Sequence, residues 1–307
     1  MRAAKIYIIG AGAIGKALAV CLANNGKDVL LIRGSVDEQP ETIETISLQM
    51  PDSSALSADI RTTTFSNLQE TSGIFIVTSK SFGNGAIAEK LSKYGAACPI
   101  VLLQNGLNIE RAFVERGFTN LFRCVLLVTS QFTAEGNIRF RPVAACPVGP
   151  VEHNENGLSD ILMHLDNPLF PLRGEAQIQP FVWKKAIVNC VFNSVCPLLD
   201  VDNGIFHRNA AALEIADRVM AECLEIADRC GIKLDAADVR QTLLSISRSS
   251  DGQLISTLQD IRNKRPTEIE TLNLEVAAIA RSLGVEDRVR ETRLLGELTT
   301  LKSRLNR

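Results

Sequence analysis

Gly10-Ala11-Gly12-Ala13-Ile14-Gly15 carries three glycines at G-x-G-x-x-G spacing directly after the apolar run Lys5–Ile9. That pattern suits phosphate binding. The first glycine permits a tight turn, the second lets backbone approach a pyrophosphate, and the third lets helix and strand pack closely. The helix opening there adds unpaired N–H groups and a dipole favourable to anions. The tip of the next apolar run separates the two dinucleotide types. An NAD-binding chain usually places Asp or Glu there for the ribose hydroxyls, whereas this one reads Ile32-Arg33-Gly34. Arg33 can pair with a 2′-phosphate in a charge-assisted contact of about 1.5–3 kcal/mol, so the expected cofactor is NADP. Lys80 follows the run 74–78 and Asn105 follows 100–103, both at the ends where open α/β sheets bind ligands.

The second half offers a different set of groups. Lys185, Asn189 and Asn193 stand at i, i+4 and i+8, so on a helix they form one polar stripe among mostly apolar neighbours. Solvated faces usually carry longer charged side chains, while asparagine is a poor helix former whose amide needs partners. A stripe lining a ligand cleft fits better. Ser256, Asp260 and Glu268 form a second cluster. Here a plain structural reading competes: Thr267 and Glu270 match a T-x-x-E capping box, and Glu268 would be a first-turn acid favoured by the helix dipole.

These residues need elements to hold them. Strand-like runs at Lys5–Ile9, 28–32, 74–78 and 100–103 alternate with helical patterns at 13–25 and 86–94, the sign of βαβ units on a parallel sheet. Further β-like runs at 123–129, 137–141 and 143–148, broken by Glu135-Gly136 and Pro147, are expected as an antiparallel extension. From about Glu175 helical spacing takes over, at Gln179–Leu199, 210–230, 236–247, 254–263, 267–283 and 286–305. The expected architecture is α/β, with a Rossmann-type doubly wound sheet domain over residues 1–174 and an all-helical domain over 175–307.

Composition narrows the function classes. The 307 residues carry 33 basic and 35 acidic side chains, a net charge of −2, which argues against a nucleic-acid surface. Aromatics are 5%, too few for base-stacking platforms. No run of about 18 apolar residues is present, so no membrane span is expected. The eight cysteines form no C-x-x-C pair, and His153, His164 and His207 show no ligand spacing with them. Free thiols, no metal and a cytoplasmic location follow as expectations.

The motifs Gly10–Gly15, Arg33, Lys80, Gln104-Asn105-Gly106, the segment 183–193, and Leu258-Gln259-Asp260-Ile261-Arg262 leading to Thr267-Glu268-Ile269 together resemble the ketopantoate reductase (2-dehydropantoate 2-reductase) family. The resemblance runs from Gly10 to about Glu297 and implies NADPH-dependent reduction of a small 2-keto acid in pantothenate biosynthesis. It implies that Lys185 is the general acid and that Glu268 holds the substrate hydroxyl. Asn189, Asn193 and Ser256 then match substrate-binding positions, and Lys80 and Asn105 lie near nicotinamide and substrate. Gly10 to Gly15 and Arg33 complete the cofactor set, with the helical domain closing on the nucleotide domain. Two departures stand out. Family members often carry glutamine where this chain has Gly83, and a Thr-Thr-His-like stretch reads Val128-Thr129-Ser130-Gln131. Rival readings are a different 2-keto acid, a glycerol phosphate substrate, or a non-catalytic NADP sensor. A homodimer is compatible with the sequence.

Overall fold

A computed structural model describes residues 4–68, 72–94, 98–133, 136–152 and 155–306, so Glu135 and His153 lie outside the described residues. The chain divides into two units, Met1–Gln104 with Ile109–Ile178, and Asn105–Asn108 with Gln179–Arg307.

The first unit contains β1 (Lys5–Ile9), α1 (Ala13–Asn24), β2 (Val29–Ile32), β3 (Thr42–Gln49), β4 (Ala55–Thr63), β5 (Gly73–Val77), α2 (Asn84–Ser92), β6 (Ile100–Leu102), α3 (Arg111–Val114), β7 (Leu121–Cys124), β8 (Val128–Phe132), β9 (Ile138–Pro142), β10 (Cys146–Pro150), α4 (Glu155–Leu165) and β11 (Leu172–Gly174). The strands form one sheet in the order β11-β10-β7-β6-β5-β1-β2-β4-β3-β9-β8. β7, β6, β5, β1, β2 and β4 run parallel. The central strands are continuous apolar runs because both faces are covered. Along β1, Ile6 and Ile8 enter one core with α1, while Tyr7 and Ile9 enter another with α2 and α3.

From β1 the chain first builds outward through β2, then returns to the other flank with β5. The switch in direction opens a crevice beyond the carboxyl ends of β1 and β5.

The run 123–129 is two strands rather than one. β7 ends at Cys124 and pairs antiparallel with β10, whereas β8 pairs with β9 at the far edge. The hairpin β3–β4 was not legible as apolar runs. Its exposed face is mostly polar, and Ile46, Leu48 and Ile60 turn fully into the α1 core, with Leu56 and Ala58 packed against it.

The second unit is helical: α5 (Gln179–Leu199), α6 (Ile205–Arg208), α7 (Ala210–Arg229), α8 (Ala236–Ser249), α9 (Ser256–Arg262), α10 (Asn273–Ser282) and α11 (Arg290–Leu305). A helix expected over 267–283 is instead a short 3-10 turn, Ile269–Thr271, followed by α10. Leu272, at φ −113° and ψ −105°, breaks the continuity between them. The Thr267–Glu270 capping box therefore does not form: the turn begins after Glu268 with no side-chain cap. Among the described residues, no helix is long and apolar enough to cross a membrane. All eight cysteines are free, and burial pushes the Cys21 and Cys196 thiols up to about 12.

Candidate active site

The glycine-rich turn lies between β1 and α1, at the crevice of the first unit. Gly10 has φ +122°, and a Cβ there would meet Ser79 N at 2.5 Å. A Cβ at Gly15 would fall on the Gly10 carbonyl oxygen, so α1 could not approach β1 with any larger residue. Gly12 is different. It is exposed and nothing stands within 4 Å of where its Cβ would be, the open approach a phosphate needs. Gly12 is also the N-cap of α1, with no side-chain cap and no acid in the first turn. The N–H groups around Ala13, Ile14 and Gly15 thus keep their anion-binding capacity.

The neighbouring loop after β5 is tied to this turn. Thr78 Oγ1 donates to Gly10 O at 2.9 Å, and Thr78 N donates to Ile9 O at 2.9 Å. Next to it, Ser79 Oγ is buried with no hydrogen-bond partner among the described residues. An orphaned hydroxyl beside the phosphate turn is what a bound polar ligand would satisfy. Lys80 follows at once, extended at φ −64° and ψ 142°, and is half-buried. Arg33, just past β2, donates from its backbone to Thr63 O and from Nη2 to Thr42 Oγ1 at 2.9 Å. A guanidinium has five donors, so one bond to a hydroxyl leaves a fork for a phosphate. These residues fit a 2′-phosphorylated dinucleotide.

Sequence reasoning missed an amide pair that fixes the floor of this crevice. Gln104 Nε2 donates to Asn84 Oδ1 at 2.6 Å and to Ser79 O at 2.8 Å, and Asn84 Nδ2 donates to Gln104 Oε1 at 3.0 Å. Both side chains are buried. The only signal was Gln104 within Gln-Asn-Gly; Asn84 in Gly83-Asn84-Gly85 gave none. The two departures also acquire a location. Ser130 Oγ donates to Ala13 O at 2.9 Å, bracing the start of α1. Gly83 is the N-cap of α2, and a Cβ there would meet only Ile87 Cδ1 at 3.9 Å, so packing does not demand glycine.

The remaining candidates all lie in the second unit. Lys185 and Asn189 are half-buried on α5, with Asn193 two turns on at 3% exposure. The Asn189 side-chain amide makes no hydrogen bond to another described residue. Lys184, one residue away, turns to another face and pairs with Asp238 Oδ2 of α8 at 2.7 Å. Asn193 Oδ1 accepts from Thr257 Oγ1 at 2.8 Å and from Ser256 Oγ at 3.3 Å. It thereby holds the start of α9 and positions Ser256, which is exposed. Asp260 is buried and pairs with Arg265 Nε at 3.2 Å, closing the turn after α9.

Asn105 and Glu268 are held by one small piece of structure. Leu107 N donates to Thr271 O at 2.8 Å, and Asn108 Nδ2 donates to Glu275 Oε1 at 2.8 Å. Gly106, at φ +109°, lies so close that a Cβ would meet Thr271 Cβ at 2.5 Å. Thr271 in turn donates from N and Oγ1 to Glu268 O, at 3.1 and 3.0 Å. The half-buried Glu268 thus precedes a single 3-10 turn rather than a helix. Asn105 Oδ1 is buried with no hydrogen-bond partner among the described residues. Asn105, Lys185, Asn189, Ser256 and Glu268 therefore share one unit, supported from beneath by Asn193 and Thr271.

Known proteins with this architecture divide in what they handle. The ternary structure of D-mandelate dehydrogenase with NADH and anilino(oxo)acetate superposes with a TM-score of 0.84, at 20% identity over 98% of this chain and 99% of that one. The dimeric ketopantoate reductase from Staphylococcus aureus gives 0.80, at 19% identity over 99% and 100%. In sequence, the 2-dehydropantoate 2-reductase of Pyrococcus horikoshii is 28% identical over 287 residues, 92% of each chain. The family model for ketopantoate reductase PanE/ApbA matches residues 6–153, and that for its C-terminal part matches residues 177–298. Between them they span the glycine-rich turn, Arg33, Lys80 and Asn105 on one side and Lys185 to Glu268 on the other, and the chain belongs to the ketopantoate reductase PanE/ApbA family.

Proposed function

We propose that this protein is an NADPH-dependent reductase of a small 2-keto acid, ketopantoate before others, forming the 2-hydroxy acid. The observation that carries the reading is the division of labour on α5. Lys184 is neutralised by Asp238, while Lys185 shares its half-buried stripe with Asn189. Gly10 to Gly15 and the start of α1 hold the pyrophosphate, Arg33 holds the 2′-phosphate, and Lys80 and Asn105 line the reactive end. NADPH, when bound, supplies the hydride that reaches the carbonyl carbon.

The chain's own groups manage charge and protons. The Lys185 ammonium polarises the keto oxygen, stabilises the developing alkoxide and passes it a proton. Asn189 and Ser256 orient the substrate by hydrogen bonds, with Asn193 fixing Ser256. The Glu268 carboxylate accepts from the substrate hydroxyl. The Asn105 amide oxygen, orphaned without a ligand, gains a donor when the site fills.

The test is NADPH oxidation by the purified protein with a panel of 2-keto acids. Ketopantoate should give the highest kcat/KM. A larger 2-keto acid exceeding it would assign the substrate elsewhere in the same class, and no oxidation with any member would remove the enzymatic reading.

A further inference from the structure

The guanidinium of Arg33 is held by a hydroxyl and by no carboxylate. Among the described residues Arg33 makes no ion pair, and its side chain has one partner, Thr42 Oγ1, reached by Nη2 at 2.9 Å. The sheet sets both ends of that contact. Arg33 N donates to Thr63 O at 2.8 Å, which ties the end of β2 to the last residue of β4. Thr42 opens β3 opposite Thr62 of β4, so the Arg33 side chain crosses the carboxyl end of β4 to reach the next strand over. Ligands of open α/β sheets sit beyond those ends.

Acids in the preceding loop are engaged elsewhere. Successive residues of a strand face opposite sides of the sheet. Glu41, one residue before Thr42, forks onto Arg61, which lies opposite Ile43, at 2.8 and 3.2 Å. Asp37 accepts from Lys90 Nζ at 2.6 Å and from Ser66 N at 2.9 Å. A carboxylate on Arg33 would cancel the field that a phosphate needs, whereas a hydroxyl leaves the full charge in place. Thr42 also differs from the other hydroxyls of β3. Thr45 Oγ1 donates to Asp59 Oδ1 at 2.5 Å, and Ser47 Oγ bonds Ser57 Oγ at 2.8 Å. Thr42 Oγ1 accepts from Arg33 and donates to no described residue, so its one proton is unspent.

We infer that Thr42 is the second residue of the 2′-phosphate site: its hydroxyl orients the Arg33 guanidinium and gives its own proton to a phosphate oxygen. The two roles are compatible, because a threonine oxygen accepts on a lone pair while its proton points elsewhere. A guanidinium already held gives up less side-chain freedom when the phosphate arrives, which raises affinity without adding charge. The inference rests on the reading that Arg33 faces the 2′-phosphate, and it adds a neutral residue to what separates NADPH from NADH.

Fluorescence titration of the full-length protein with NADPH and with NADH gives the two dissociation constants without any turnover. Thr42→Val keeps the branched shape that suits a strand and removes only the hydroxyl. It should weaken NADPH binding by about tenfold, the loss of one charge-assisted hydrogen bond, and leave NADH within about twofold. Thr42→Ser should bind NADPH as the parent does. In an Arg33→Ala background the Thr42→Val change should weaken NADPH by at most about threefold, because holding the guanidinium is part of its role. Unchanged NADPH binding in Thr42→Val, equal losses for both cofactors, or a Thr42→Ser protein as weak as Thr42→Val would overturn the inference. So would an undiminished loss in the Arg33→Ala background, since the two side chains would then act independently. An Arg33→Ala protein that keeps its preference for NADPH would overturn the 2′-phosphate reading itself. A preference lost in Arg33→Ala but kept in Thr42→Val would overturn the part given to Thr42 alone.

Discussion

At Glu268 two physical roles separate cleanly. A first-turn acid gains about 0.3–1 kcal/mol from a helix dipole, but Glu268 precedes one 3-10 turn, which has almost no dipole to offer. Its backbone carbonyl, bonded to Thr271, fixes where the carboxylate starts. Glu268→Gln should therefore lose no helix-dipole stabilisation in urea denaturation. It should lower kcat/KM on a hydroxylated 2-keto acid by roughly 10- to 150-fold, the worth of a charged hydrogen bond of about 1.5–3 kcal/mol. A keto acid without that hydroxyl should be a poor substrate for the parent and lose far less in the variant. A stable variant with undiminished efficiency on the hydroxylated substrate would return Glu268 to a purely structural part.

Among the elements, strands buried on both faces were readable because nothing polar interrupts them. β1 was legible from end to end, and α5 likewise, since its apolar residues keep helical spacing for twenty-one residues. The hairpin β3–β4 was not, because its apolar residues are too sparse to stand out from a polar loop. The 267–283 helix was overread for the opposite reason: its periodicity continues through Leu272, where the backbone does not. The glycine-rich turn and the α5 stripe were visible as spacing. The amide pair Asn84–Gln104 and the docking of Gly106 on Thr271 were not, because each joins residues far apart in sequence with no periodic signal.

One element carries its own test. Asn193 accepts from the first residues of α9 in the role usually given to an N-cap, although it belongs to α5. Asn193→Ala should cost about 1 kcal/mol, within the usual 0.5–2 for a lost cap, as a shift in the denaturation midpoint. It should also raise KM through a loosened Ser256. A variant with parental stability would show that α9 starts without it.

At the scale of the molecule, the residues assigned to the cofactor, Asn105 apart, fall in the sheet unit, and the substrate candidates fall in the helical unit. The sequence carries a change of texture near Glu175. It could not show that Asn105–Asn108 belongs with the helices, because a four-residue loop leaving a strand looks like part of the sheet domain. Ligand linkage gives a whole-molecule prediction. NADPH at about 100 times its Kd should stabilise the folded protein by about 2.7 kcal/mol. In Arg33→Ala, with affinity lower by about tenfold or more, the same concentration should give about 1.4 kcal/mol or less. Stabilisation by NADH should be nearly the same in both proteins. Equal losses for the two cofactors would mean that Arg33 does not read the 2′-phosphate.

The central claim is that Lys185, and not the lysine beside it, carries the proton to the substrate. Single-turnover reduction of ketopantoate by NADPH, compared in the parent, Lys185→Ala and Lys184→Ala, addresses it most directly. Lys185→Ala should slow the chemical step by about 10²–10⁴, the usual worth of a positioned acid, with circular dichroism and NADPH affinity intact. Lys184→Ala should lose only its surface pairing with Asp238 and react at close to the parental rate. Two variants slowed alike, or a Lys185→Ala protein that reduces ketopantoate as the parent does, would contradict the account.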